Sequence, residues 1–265
     1  MESIKIKLDK YYTPVDLAKY CIDKTYEVIG KENITDIVEP SAGNGAFSNQ
    51  LECVSYDIEP EYEGIIKQDY LTLDISYKKD RLIIGNPPYG RGNTLSVKFF
   101  KKSIRIADYI AFILPISQLN NNMQMYEFDL IYSIDLGLKV YTDRELQCVF
   151  NIYKRPIKGL NKKNNYKLKD IEIIENRRTH PKTSINYDIA MCSYGKGIIG
   201  REPQYIGQYV KEFYFKVHND SLNKKIIELI RNTKWESICS GMTGQLNLAQ
   251  WQVYKYIKEQ IPNIQ

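Results

Sequence analysis

Strand-like and helix-like segments alternate along the first 155 residues of the chain. A helix is predicted from Val15 up to Gly30, because Thr13 can cap its start, Pro14 suits the first helical position, and apolar residues then recur at helical spacing. Strands are predicted at 34–39, 53–56, 64–66, 82–85, 109–114, 130–136 and 148–153, and further helices from residue 46 and over 96–107. This alternation predicts an α/β fold with a Rossmann-like, doubly wound sheet that is mainly parallel.

A change of composition after Arg155 marks the expected domain boundary. Residues 156–169 are rich in Lys, Asn and Gly and have almost no apolar periodicity. We therefore predict a larger domain over residues 1–155 and a smaller region over residues 156–265. The smaller region is expected to be α+β, with strands at 187–192 and 209–217 and helices at 221–231 and 248–261.

Charge is unevenly divided along the chain. Residues 1–150 hold 17 Lys and Arg against 22 Asp and Glu, whereas residues 151–265 hold 20 against 10. The C-terminal part is therefore strongly basic, which favours a polyanionic partner, although such a balance is also an ordinary route to solubility. The candidate anion-binding side chains are Lys154, Arg155, Lys162, Lys163, Lys167, Arg177 and Arg178. For each of them a solvated linker face is the alternative interpretation.

Composition argues against several classes of protein. Hydrophobic residues make up 43% of the chain and charged residues 26%, as in ordinary globular domains. No apolar run is long enough to cross a bilayer, and the first ten residues lack the apolar stretch of a signal peptide. We therefore expect a cytoplasmic protein that does not enter a membrane. A monomer is the default expectation for its oligomeric state. The five cysteines are scattered and the two histidines lie in no motif, so no metal site is expected.

A glycine turn follows the first predicted strand. The segment Glu39–Phe47 reads EPSAGNGAF and lies at the carboxyl end of that strand, where open α/β sheets bind their ligands. Gly43 and Gly45 let the backbone approach a ligand closely. The segment lacks the GxxxxGK[ST] lysine of a phosphate-binding loop, which argues against a nucleoside triphosphate.

Acidic residues follow the next two predicted strands. Asp57, with Glu59 two residues later, comes after the second strand, from which an acid can accept hydrogen bonds from ribose hydroxyls. Asp69 comes after the third strand and could accept a hydrogen bond from an adenine amino group. At these positions the acids fit a nucleoside-binding sheet, although each one alone is also typical of a solvated loop.

The most specific signal is Asn86-Pro87-Pro88-Tyr89, directly after an apolar strand. Consecutive prolines hold the backbone extended and rigid. The Asn86 side chain and the Pro87 carbonyl can therefore both accept hydrogen bonds from one incoming amino group. Tyr89 supplies a flat aromatic face on which a base can stack.

These motifs, with Tyr12-Thr13-Pro14 before them, resemble in order and type the gamma group of DNA amino methyltransferases, whose adenine-N6 members carry an NPPY loop. The resemblance covers roughly residues 10–155. It implies S-adenosylmethionine as cofactor, double-stranded DNA as substrate, a cognate restriction endonuclease as a partner to consider, and target recognition by residues 156–265. The catalytic residues that it implies are Asn86, Pro87, Pro88 and Tyr89. The cofactor-binding residues that it implies are Tyr12, Thr13, Pro14, Glu39, Pro40, Ser41, Ala42, Gly43, Gly45, Asp57, Ile58, Asp69, Tyr70 and Asn86.

The resemblance also implies a second aromatic residue, on a later loop, that covers the opposite face of the target base. Tyr141, Phe150 and Tyr153 all lie near the expected segment. We select Phe150, because residues 148–153 resemble the late strand that carries this part of the fold. A role in the hydrophobic core is the alternative interpretation for Phe150.

The implied chemistry is direct methyl transfer to the N6 amino group of an adenine flipped out of the duplex onto Tyr89. The same loop also serves methylation of a glutamine amide in release factors and of adenine in RNA. A further alternative is a catalytically inactive relative that only binds nucleic acid. Release-factor enzymes usually place a helical substrate domain before the catalytic one, whereas here about ten residues precede Tyr12 and a basic extension lies behind. The sequence therefore favours DNA, and the intact motifs favour an enzyme.

Overall fold

The computed structural model describes residues 11–142, 144–239 and 246–265. The chain divides into two compact units, Met1–Asn164 and Asn165–Gln265. The division falls later than the predicted boundary after Arg155. The reason is that the Asn161 backbone N–H donates to the Glu127 carbonyl at 2.9 Å and the Asn161 side chain donates to Asp129 at 2.8 Å, so the basic segment is held on the first unit.

A seven-stranded sheet forms the centre of the first unit. Its elements in chain order are α1 (Val15–Ile29), β1 (Asp36–Glu39), β2 (Val54–Asp57), β3 (Ile66–Lys67), β4 (Arg81–Gly85), α2 (Thr94–Ser103), β5 (Tyr109–Pro115), β6 (Asp129–Tyr141) and β7 (Arg144–Lys154). The strand order is β3-β2-β1-β4-β5-β7-β6, and β7 runs antiparallel to both of its neighbours while β1 to β5 pair in parallel. The predicted α/β fold with a mainly parallel sheet is confirmed.

The sheet is covered by a helix on each face, as a doubly wound fold requires. Alternate side chains of β4 show this: Leu82 and Ile84 belong to the core that α1 covers, whereas Ile83 belongs to the core that α2 covers. All three side chains are at most 1% exposed. Burial on both faces explains why these strands have no hydrophobic alternation in the sequence.

The strand order reverses between β1 and β4. The chain runs outward through β2 and β3, then returns to place β4 on the other side of β1, with Val38 paired to Ile83. The carboxyl ends of β1 and β4 are therefore neighbours. The loops that follow them begin at Pro40 and Asn86, so the topology alone brings the glycine turn next to the Asn86–Tyr89 motif.

Two local predictions in this unit were wrong. Pro14 takes the capping position of α1, and no side-chain hydrogen bond caps the helix, so Thr13 is not its cap. The helix expected from residue 46 is only a 3₁₀ turn, Ser48–Gln50. Gly43 and Gly45 have φ angles of 53° and 83°, and the chain must then start β2 at Val54, which leaves too few residues for an α-helix.

The second unit is a small α+β fold, as predicted. It contains β8 (Ile171–Arg177), β9 (Ile189–Cys192), β10 (Lys211–Val217), α3 (Asp220–Asn232) and α4 (Gln250–Gln260). The three strands form an antiparallel sheet in the order β8-β10-β9, and β8 was missed by the sequence prediction. Phe213, Phe215 and Trp235 are at most 1% exposed and lie in the core with buried isoleucines of both helices.

Within the ranges that the structure describes, none of the helices combines the length and the apolar character needed to cross a membrane.

Candidate active site

A cavity of about 260 Å³ opens at the carboxyl ends of β1, β2 and β4. Loops that are distant in sequence converge on it. The predicted cofactor-binding residues that line it are Tyr12, Thr13, Glu39, Pro40, Ser41, Ala42, Gly43, Asp57, Ile58, Asp69, Tyr70 and Asn86. Pro14 and Gly45 do not line it: Pro14 caps α1, and Gly45 has no side chain to reach the cavity although its neighbours Asn44 and Ala46 line it.

The glycine turn is fixed by hydrogen bonds to the end of β2. The Ala42 N–H donates to the Tyr56 carbonyl at 2.9 Å, and the Gly43 N–H donates to Asp57 Oδ2 at 2.8 Å. A Cβ atom at Gly43 would lie 3.1 Å from Cε1 of Tyr12, so the tyrosine ring packs directly over the glycine. This contact and the φ angle of 53° explain the need for glycine at this position.

Asp57 and Asp69 both line the cavity. Asp57 Oδ1 accepts the Glu59 N–H at 2.8 Å, and Asp69 Oδ1 accepts the Leu71 N–H at 2.9 Å. A carboxylate offers about four acceptor positions, so both groups keep acceptor capacity beyond these backbone contacts. Their placement fits hydrogen bonding to hydroxyl and amino groups of a nucleoside.

Glu39 is the most deeply buried acid in the cavity wall, with 1% of its surface exposed. Its Oε2 atom is buried and has no hydrogen-bond partner among the described residues. Burial, reinforced by the nearby Asp57 carboxylate and opposed by contacts with Ser48, raises the pKa of Glu39 to about 8.

The Asn86 side chain is oriented by the segment before α1. Its Nδ2 atom donates to the Tyr11 carbonyl at 3.1 Å and to Thr13 Oγ1 at 3.2 Å. These two contacts use both amide hydrogens, so the opposite end of the amide must be the acceptor Oδ1. Oδ1 is buried and has no partner among the described residues, which leaves a preformed acceptor for an incoming amino group.

The backbone of the Asn86–Tyr89 motif is also held in place. Ser41 Oγ donates to the Asn86 carbonyl at 3.2 Å, and Ser96 Oγ donates to the Pro88 carbonyl at 3.2 Å. The first bond ties the motif to the glycine turn and the second ties it to α2. The motif is therefore fixed from both sides.

The same motif also borders a second cavity. Tyr89 lines it together with Tyr11 and residues from the loops after β4 and β5 and from the start of β7; the β7 residues are Leu146, Gln147 and Cys148. The Tyr89 hydroxyl lies 3.4 Å from Cys148 Sγ, which anchors the ring at the cavity wall. Asn86 and Pro88 line the first cavity, whereas Tyr89 lines the second. The motif therefore contributes side chains to both cavities.

The structure corrects the prediction for Phe150. Its side chain is 0% exposed and belongs to the core on the α1 side of the sheet, where its β5 partner is Ile113. It therefore presents no ring face to a base. The residues of β7 that reach the second cavity are Leu146, Gln147 and Cys148.

The structure also corrects the prediction for Arg155. Its guanidinium forms an ion pair with Asp108 at 2.7 Å and donates to the Ala107 carbonyl at 2.8 Å, so it is engaged inside the unit. Arg177 pairs with Glu175. The basic candidates with exposed side chains besides Arg177 are Lys154, Lys162, Lys163, Lys167 and Arg178.

Several lining residues were not predicted as cofactor contacts. In the first cavity they are Tyr11, Asn44, Ala46, Phe47, Gln68, Leu71, Pro88, Leu95 and Phe99. Asn44, Ala46 and Phe47 lie within the glycine motif, and Gln68 and Leu71 flank the Asp69-Tyr70 pair, so adjacency to a motif was the available signal. Leu95 and Phe99 come from α2, and only the fold brings them to the site.

Sequence comparison finds partial similarity to Type II methyltransferases. M.HincII of Haemophilus influenzae is 36% identical over 106 residues, which cover 36% of this chain and 20% of M.HincII. M.CvrRI of Paramecium bursaria Chlorella virus XZ-6E is 28% identical over 155 residues, or 46% of this chain and 40% of M.CvrRI. The match thus spans about a fifth of the length of M.HincII. It agrees with the predicted resemblance to methyltransferases but does not distinguish the gamma group.

No family model matches the sequence. Among solved structures, a proposed RNA methyltransferase from Pyrococcus horikoshii covers 58% of this chain and 91% of its own, with 15% identity and a TM-score of 0.48. A proposed class I S-adenosylmethionine-dependent methyltransferase from Listeria monocytogenes covers 85% of this chain and 72% of its own, with 12% identity and a TM-score of 0.46. The sheet topology, rather than these distant likenesses, defines the fold.

Proposed function

We propose that this protein transfers a methyl group from S-adenosylmethionine to the N6 amino group of an adenine in double-stranded DNA. The observation that carries the proposal is that the Asn86–Tyr89 motif lines two cavities, and that the buried acceptor Asn86 Oδ1 has no hydrogen-bond partner among the described residues. We infer that the amino group reaches this acceptor from the side of Tyr89, which lines the second cavity, and that a nucleoside-like cofactor occupies the first.

The residues of the first cavity suit S-adenosylmethionine. Asp57 and Asp69 offer acceptors for ribose hydroxyls and an adenine amino group, and Ile58, Leu71 and Phe99 supply apolar surface around them. Three carboxylates and no described cation line the space, which suits a cofactor with a positively charged sulfonium. When bound, the cofactor supplies a methyl group that is open to in-line displacement.

The residues of the motif prepare the amine for this displacement. An aromatic amino group is a weak nucleophile because its lone pair is delocalised into the ring. When Asn86 Oδ1 and the Pro87 carbonyl accept hydrogen bonds from the two N–H groups of this amine, the nitrogen becomes more tetrahedral. Its lone pair is then directed toward the methyl group. Positioning and exclusion of water then supply most of the catalysis, and no covalent intermediate is needed.

Tyr89 serves the base rather than the cofactor. A base that is stacked inside a duplex cannot reach the Asn86–Tyr89 motif, so the adenine must leave the stack, at a cost of a few kcal/mol. Stacking on an aromatic ring returns about 1–3 kcal/mol per base. The contact of the Tyr89 hydroxyl with Cys148 Sγ orders the ring before the base arrives.

DNA is proposed as the polymer because of the similarity to Type II methyltransferases and because of the basic residues 151–265. The resemblance to these methyltransferases also leads us to propose a cognate restriction endonuclease as partner. The exposed Lys162, Lys163 and Arg178 are proposed to contact phosphates, which would fix the register of the enzyme on the duplex.

The test is transfer of labelled methyl groups from S-adenosylmethionine to a random-sequence duplex DNA library, followed by nucleoside analysis. We expect label in N6-methyladenine. The Asn86→Ala variant should slow transfer about 10²–10³-fold, by analogy with loss of one fixed hydrogen-bonding group in other active sites. Asn33→Ala removes an asparagine that lines neither cavity and donates to the Ile29 carbonyl and to Glu32, so it should leave the rate unchanged.

Three outcomes would contradict the proposal. Label in cytosine would place the acceptor chemistry on another base. Label found only in RNA, or only in a glutamine amide of a release factor, would assign another substrate to the same site. An equal rate for the wild-type protein and Asn86→Ala would remove the motif from the chemistry.

A further inference from the structure

Glu39 is a buried acid that takes no part in the proposed methyl transfer itself. Its side chain is 1% exposed, its Oε2 atom has no partner among the described residues, and the residue lines the first cavity. An unpaired buried carboxylate is costly, so the group has to find either a proton or a cation.

Among the residues that the structure describes, the surroundings of Glu39 offer no cation. From β2 the nearby titratable groups are Cys53, which precedes the strand, and Asp57 at its end. Asp69 lines the cavity after β3, and Tyr12 lines it from the segment before α1, where its pKa is raised by burial and by Glu61. The described residues of the cavity wall that come from β4 and α2, namely Asn86, Pro88, Leu95 and Phe99, carry no charge. Within the described part of the chain, a carboxylate at Glu39 therefore faces only neutral or negative groups.

On these grounds we propose that Glu39 holds a proton in the cofactor-free protein and releases it when S-adenosylmethionine enters, so that the carboxylate and the positively charged cofactor form the buried ion pair. The inference rests on the proposed function, since it takes that cofactor as the ligand. It adds that cofactor binding is an exchange of a proton for an organic cation.

The sign of the pH dependence follows from the buried acid. Burial raises the pKa of Glu39 to about 8, so the carboxyl group is mostly protonated at neutral pH in the free protein. A bound cation stabilises the carboxylate and lowers its pKa in the complex. Affinity for S-adenosylmethionine should therefore be highest above pH 8 and should fall by up to about tenfold for each pH unit below it.

The experiment is titration calorimetry of the full chain with S-adenosylmethionine, without DNA, in pairs of buffers that differ in ionisation enthalpy. At pH 7 we expect about one proton released for each cofactor bound. Glu39→Gln keeps the shape of the protonated side chain, so it should bind without releasing the proton and with a flat pH profile. Asp69→Asn is the matched control: it should weaken binding but keep both the proton release and the pH profile.

A second measurement does not depend on a variant. The infrared band of a protonated carboxyl group should be present in the free wild-type protein and should disappear when S-adenosylmethionine is added. Binding with no proton released, or unchanged proton release in Glu39→Gln, would overturn the inference and leave the proposed function standing. Complete absence of S-adenosylmethionine binding would overturn both.

Discussion

Gly43 illustrates how a single backbone position can control the cofactor cavity. A Cβ atom there would have to tolerate a φ angle of 53° and would lie 3.1 Å from Cε1 of Tyr12. We expect Gly43→Ala to lower the free energy of unfolding by about 1–2 kcal/mol, because a left-handed backbone is costly for alanine. It should also weaken S-adenosylmethionine binding roughly tenfold, or ~1.4 kcal/mol, because the Tyr12 ring must move.

Gly64 provides the control for this prediction. It has a φ angle of 84°, and a Cβ atom built on it meets nothing within 4 Å. Gly64→Ala should therefore show the stability loss without the loss of cofactor affinity, as measured by denaturant unfolding and calorimetry. Equal losses of affinity in the two variants would mean that the contact with Tyr12 does not shape the cavity.

At the residue scale, the sequence was most informative where glycine or proline determines the backbone. Gly43 lies in the first cavity wall with a left-handed backbone that glycine permits, and Asn86 and Pro88 lie there where consecutive prolines hold the backbone extended. The two hydrogen bonds that orient the Asn86 amide were not predictable. They come from Tyr11 and Thr13, more than seventy residues away in sequence.

At the scale of elements, β7 shows where sequence reasoning fails. Residues 148–153 are buried on both faces of the sheet, with Val149 and Phe150 both 0% exposed. A strand of this kind has no alternation, so its pattern does not say which side chain faces a cavity. The prediction of a helix from residue 46 failed for a related reason, since the length available to it depends on where β2 begins.

The position of Phe150 in β7 leads to a prediction that separates a core residue from a base-stacking residue. We expect Phe150→Leu to lower the free energy of unfolding by about 1–3 kcal/mol, because it leaves space in a close-packed core. Methyl transfer by the folded protein, measured well below its melting temperature, should stay near the wild-type rate. Thermal unfolding and initial-rate assays on the same preparation provide the two measurements.

Tyr89 should show the reverse pattern. Tyr89→Leu removes a half-buried ring at the second cavity, so the proposed stacking energy of about 1–3 kcal/mol should be lost from kcat/KM while stability changes little. A drop in kcat/KM for Phe150→Leu without a drop in stability would return Phe150 to the role of covering the target base.

At the scale of the whole molecule, the distribution of charge predicts how the protein meets a polyanion. The segment of residues 156–164 is exposed along most of its length but is held on the first unit through Asn161. Lys162 and Lys163 therefore present two cations from a tethered segment rather than from a free linker. The sequence indicated their charge but not this attachment, which depends on contacts with residues 127 and 129.

If Lys162 and Lys163 contact phosphates, removing both should change the salt dependence of DNA binding. Each phosphate contact contributes about 0.9 to the slope of log affinity against log salt concentration. The double variant Lys162→Ala/Lys163→Ala should therefore reduce the slope by about 1.8, measured by fluorescence anisotropy with a labelled duplex. Lys19→Ala/Lys31→Ala makes the same change in net charge with two exposed lysines, one in α1 and one in the turn that follows it. An equal reduction in that control would mean that DNA senses only the overall charge, whereas an unchanged control slope would assign the effect to the tethered segment.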